Sequence, residues 1–90
     1  MPTPAQVRMG AAVLARVGMD ATLDGLPAGK VHVNQRARVQ EGQAVYERVV
    51  ATIAKTAAPA MGQVLGHPDG TWTLDSLLSD NGVNQRWVLR

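Results

Sequence analysis

Beyond residue 18 the chain alternates apolar and polar positions in short runs, broken at close intervals by glycine, proline and Asx residues, which is the pattern of strands joined by tight turns. The runs Asp20-Ala21-Thr22-Leu23-Asp24 and Lys30-Val31-His32-Val33-Asn34 flank Gly25-Leu26-Pro27-Ala28-Gly29, whose composition predicts the turn of an antiparallel hairpin. Residues 35–43 are polar with few apolar anchors, and predict a long loop or an irregular turn of helix. Residues 44–54 are rich in β-branched side chains and predict a strand with Val45, Val49, Ala51 and Ile53 on one face. Glu47 interrupts that face, and a β-bulge beside it reconciles the pattern. A helix over residues 40–56 also satisfies Val45, Val49, Val50 and Ile53; the β-branched content favours the strand.

Pro59 interrupts pairing, and Met61-Gly62-Gln63-Val64-Leu65 resumes it. Pro68-Asp69-Gly70 has turn chemistry, with proline setting one φ and glycine accepting a positive one. In residues 71–78 Trp72 and Leu74 share a face, Asp80-Asn81-Gly82 is a strong hairpin signal, and Trp87 and Leu89 alternate with Arg86, Val88 and Arg90. Five to six short strands at this spacing predict a small antiparallel β-barrel or sandwich over residues 19–90. Ahead of it, Thr3 can cap a helix that Pro4 begins, Gln6 completes a capping box, and Val7, Ala11 and Leu14 form an apolar stripe that ends near Gly18. The fold class is therefore mainly β, α+β by count, with an N-terminal α-helix over residues 1–18 that is read first as an ordinary helix packed on the sheet and alternatively as a partner-docking segment fully ordered only in an assembly.

Composition sharpens this picture. A single domain of 90 residues buries only about 60–65% of the surface its unfolded chain exposes. With no phenylalanine, two tryptophans and one tyrosine, its core rests on Val, Leu, Ala, Ile and Met, so Trp72 and Trp87 are expected inside as bulk. The lack of cysteine removes disulfides and thiolate metal sites, which suits an intracellular or virion protein. No apolar run nears the ~20 residues of a membrane span, and the N-terminus lacks signal-peptide order, so a soluble chain is expected. Nine basic against seven acidic residues leave a charge of +2, too small and too interspersed for a strongly anionic partner.

Chemistry-bearing patterns are sparse. Gly25 and Gly29-Lys30-Val31 echo a phosphate-binding loop, but the glycine spacing is one residue short and Val31 has no hydroxyl for magnesium. The serines, Ser76 and Ser79, lie in or beside a predicted strand without a nucleophile elbow. His32, His67 and Asp69 lack the close pairing of metal ligands, and His67-Pro68-Asp69-Gly70 reads more simply as a turn. Of Asp20, Asp24, Asp69, Asp75 and Asp80, most occupy predicted turns or strand ends, where aspartate serves turn chemistry. Neither an enzyme nor a cofactor or metal is expected.

The order of elements, with Asp69-Gly70-Thr71-Trp72-Thr73-Leu74-Asp75, then Asp80-Asn81-Gly82, then Arg86-Trp87-Val88-Leu89, resembles the small head-to-tail joining (head completion) proteins of lambda-like tailed phages and prophages. The likeness covers residues 20–90 in layout and is most specific at residues 72–82. It implies a β-barrel-like virion protein at the head–tail junction, made in the bacterial host cytoplasm, that binds the portal complex and presents a surface to the tail. It implies a ring of copies in the assembled particle and a monomer when free. The N-terminal helix and the 35–43 segment are the expected contacts, through Val7, Leu14, Arg36, Arg38, Gln40 and Glu41. The alternative is a small nucleic-acid-binding β module using the Arg36, Arg38 and Arg48 region, although stacking aromatics are few and nucleic acid is the less expected partner.

Overall fold

A computed structural model describes residues 18–90. The helix expected over residues 1–18, with Val7 and Leu14 on it, lies outside the described residues except for Gly18, which has no regular structure. The described chain forms six strands: β1 (Met19–Leu23), β2 (Leu26–Glu41), β3 (Ala44–Ala54), β4 (Val64–His67), β5 (Gly70–Asp80) and β6 (Asn84–Leu89), with a 3-10 turn at Lys55–Ala57. Every pairing is antiparallel, and one sheet closes into a ring in the order β1-β2-β3-β6-β5-β4. The seam that closes it is short: Thr22 opposite Gly66 and Leu23 opposite Leu65.

The ring's interior holds the main core, Ala21, Leu23, Ala28, Val31, Val33, Ala51, Ile53, Leu65, Leu74, Trp87 and Leu89, with Val49, Ala57 and Trp72 packed against it. Val31, Ile53, Leu65 and Leu74 are fully enclosed, and burial of each stabilises the fold by roughly 1.5–3 kcal/mol. Trp87 is buried, with its indole N–H donating to Gln85 Oε1 at 3.1 Å. Trp72 is half-buried at the core's edge, so both tryptophans serve as bulk, as expected.

Several expectations need correction. Residues 35–43 are not a loop: β2 runs to Glu41, and only Gly42 and Gln43 turn the chain into β3. The first hairpin exists, but its turn is Asp24-Gly25, both at positive φ, and residues 26–29 belong to β2. Asp-Gly is the favoured pair for a two-residue turn whose twist matches its strands. The bulge lies not beside Glu47 but across the ladder in β2, where Asn34 faces Val50 and Ala37 faces Arg48. Residues 44–54 are strand rather than helix.

That bulge has a consequence for sidedness. Before it, Val31 and Val33 face into the ring; after it, Ala37 and Val39 share the outer face with Val50, forming a second buried cluster against Leu78. Val45 shares the face of Val49, Ala51 and Ile53, as the alternation predicts, yet it is 60% exposed. The alternation continues, but the ring has ended by Val49, where β6 stops pairing with β3.

Candidate interaction surface

The chief departure from a plain closed sheet is the β2–β3 arm. β1 pairs with β2 no further than Val31, and β6 pairs with β3 only from Val49. Among the described residues, the two strands beyond the bulge therefore pair only with each other, through five residue pairs from Ala37 opposite Arg48 to Glu41 opposite Ala44. At ~3.3 Å per residue this is a projection of about 15 Å.

Local chemistry stiffens the arm. Gly42 supplies the left-handed φ of 64° that the tip requires, and Gln40 Nε2 donates to the Gly42 carbonyl at 3.3 Å. The Arg48 guanidinium forks onto Glu41, with Nη2 to Oε2 at 2.9 Å and Nε to Oε1 at 3.2 Å, and lies 4.7 Å from the centre of the Tyr46 ring. At the base, the Arg36 N–H donates to Asn34 Oδ1 at 3.0 Å, fixing the bulge with an Asx turn.

The arm brings together four of the six expected contact residues. Arg36, Arg38, Gln40 and Glu41 are all exposed, but they do not act alike. Glu41 is held by Arg48. Arg38 and Gln40 stand on the opposite face, opposite Glu47 and the exposed Val45, and Arg36 projects from the bulge. Arg38 and Arg48 thus face opposite ways, so Arg36, Arg38 and Arg48 do not form one basic patch. The sequence reading missed Val45, Tyr46 and Glu47, which complete both faces; their signal was the alternation of 44–48 read together with 37–41 as one hairpin.

Elsewhere the polar groups are tied into structure. A depression of about 460 Å³ lies over β1, β2 and β4, bordered by Asp20, Thr22, Pro27, Gly29, Gly66 and Pro68. Lys30 Nζ sits 3.2 Å from Asp20 Oδ1 in this region, so the lysine of the phosphate-loop echo is engaged in a surface ion pair on a strand. The His67 side chain is 2% exposed; Nδ1 accepts the Asp69 N–H at 3.1 Å, leaving Nε2–H to donate to the Val31 carbonyl at 3.2 Å. Both ring nitrogens are thereby satisfied by backbone, which leaves neither free to activate a nucleophile. Ser76 and Ser79 are exposed on β5. Among the described residues no three His, Asp or Glu side chains converge as a metal would need.

Among the described residues no helix is long and apolar enough to cross a membrane. The sequence matches no protein-family model and no curated protein.

Proposed function

We propose that this chain is a structural virion protein that joins a phage portal to the tail by protein–protein contact, acting by docking rather than catalysis. The observation that carries the proposal is the β2–β3 arm, a braced two-stranded projection that presents Arg36, Arg38 and Gln40 away from a closed hydrophobic core. The resemblance over residues 20–90 supplies the partner class, and the closed sheet is read as the small barrel of that family.

On this reading the core ring sets the orientation of the arm, and the arm carries the contacts. Copies arranged around the portal's rotation axis meet through heterologous interfaces that close. Individually weak arm contacts then add through multivalency.

Co-sedimentation of the purified chain with isolated portal rings tests the reading, alongside complementation of tail attachment in a phage lacking its own joining protein. Binding and complementation are expected for the parent chain. Both should be lost in the charge reversal Arg36→Glu/Arg38→Glu while the melting temperature stays unchanged. Failure of the parent in both assays sinks the proposal, and tight binding to DNA at low salt would move the assignment to a nucleic-acid module.

A further inference from the structure

We propose that Asn81-Gly82, in the turn between β5 and β6, is a latent deamidation site that the Asp80 carboxylate keeps closed while the turn is folded. The motif is particular within the chain: Asn34 and Asn84 are each followed by glutamine, and only Asn81 precedes a glycine, whose backbone nitrogen no side chain shields.

The reaction needs two things from the turn. The Gly82 nitrogen must lose its proton to solvent base and attack Cγ of Asn81, forming an N–C bond that closes a succinimide while the side-chain nitrogen leaves as ammonia. One water then opens the ring at either carbonyl, leaving an aspartyl or isoaspartyl residue at position 81. No oxidant or cofactor takes part.

The turn blocks both requirements. The Gly82 N–H donates to Asp80 Oδ1 at 2.7 Å, so deprotonating that nitrogen would place two negative charges side by side. The Asn81 side chain is pinned as well, its Oδ1 accepting the N–H groups of Val83 at 2.9 Å and Asn84 at 2.8 Å. Swinging Cγ onto the nitrogen would break both bonds. Asp80 is itself anchored: Oδ2 accepts from Gln85 Nε2 at 3.0 Å and lies 3.3 Å from Lys55 Nζ. Those contacts, Gln85 first and then the Gly82 N–H, hold its pKa below the ordinary aspartate value, so the blocking charge is present at neutral pH.

Modification would then record opening of this turn. An isoaspartyl linkage adds a backbone carbon where Asp80 faces Gln85, and beside Val83, whose carbonyl receives the Lys55 N–H at 2.9 Å and so ties down the 3-10 segment.

The test incubates the intact chain in mildly alkaline buffer and follows the gain of one mass unit, with peptide mapping to locate isoaspartate. The native chain should react at least about tenfold more slowly than the same chain in strong urea. Asp80→Ala should speed the native reaction about tenfold, the factor corresponding to about 1.4 kcal/mol of lost restraint. Lys55→Ala, which leaves the Asp80–Gly82 contact in place, should change it less than about twofold. Equal rates in the native and unfolded chains overturn the proposal. If Asp80→Ala does not fold, Asp80→Asn replaces it, keeping an acceptor without the charge: acceleration supports the lock, whereas slowing identifies Asp80 as the reaction's base and overturns it.

Discussion

Gly66→Ala offers a sharp test of how the ring closes. A Cβ on Gly66 would stand 2.6 Å from Thr22 Oγ1, closer than such atoms approach, and these two residues face each other in the two-pair seam between β1 and β4. The Gly66 backbone does not adopt a positive φ, so alanine itself is conformationally allowed. Overpacking of this kind costs about 1–3 kcal/mol, partly offset by the ~0.5–1 kcal/mol that alanine gains over glycine within a strand. The net cost of about 0–2.5 kcal/mol corresponds to a melting temperature lowered by up to roughly 10–20 °C in a domain of this size. Thr22→Ala removes the obstructing oxygen. In that background Gly66→Ala should be neutral or stabilising, so a double-mutant cycle should return a coupling of about 1–3 kcal/mol. Thermal and urea unfolding of the four proteins followed by circular dichroism measures it. A coupling near zero, or a penalty that persists without the threonine hydroxyl, would refute the packing argument.

Other expectations follow from the same structure. Leu74→Ala, at a fully enclosed position in the centre of β5, should cost about 2–5 kcal/mol in urea unfolding, and a cost below 1 kcal/mol would mean the ring's interior collapses around the gap. The Arg48–Glu41 pair is exposed on both sides, so a double-mutant cycle should give less than about 1 kcal/mol, diminishing with added salt. Asp80 has a lowered pKa in the folded chain, caused first by Gln85 and then by the Gly82 N–H. Its contribution to stability is therefore present above the unfolded value of ~3.9 and is lost as pH falls through the lower folded value. Urea midpoints of the parent and Asp80→Asn should thus converge in strong acid, and a gap that stays constant with pH would contradict this.

Much of the ring was legible because its signals are local. Pro68-Asp69-Gly70 and Asp80-Asn81-Gly82 mark the turns between β4 and β5 and between β5 and β6, and Trp72, Leu74, Trp87 and Leu89 point inward with the expected period of two. The arm was not legible, because only Ala37 and Val39 mark its buried face, two small apolar positions among polar neighbours. Arg36, Arg38 and Gln40 made residues 35–43 look like loop, when their polarity reflects solvent around a ladder. The bulge at residues 35–36 also moved Ala37 and Val39 to the face opposite Val31 and Val33, so no single alternation ran through β2. Asp24-Gly25 was the clearer turn signal, overshadowed by the glycine and proline of residues 25–29, which β2 accommodates through its other bulge, at Ala28 between the Ala21–Gly29 and Thr22–Pro27 pairs. Among the contacts of the arm, only those between residues near in sequence were foreseeable; the grip of Arg48 on Glu41 depends on folding the hairpin first.

The tip of the arm touches neither apolar cluster, and this separates how the protein folds from how far it reaches. Two residues added to each strand beside Gly42 and Gln43 would carry the tip about 7 Å further while leaving every core contact in place. A single deletion at residues 35–36 would do the opposite, turning Ala37 and Val39 toward the face that now bears Arg38 and Gln40. Reach is thus set at the tip, apart from either apolar cluster, whereas the bulge is a fixed joint that decides which face of the arm is apolar.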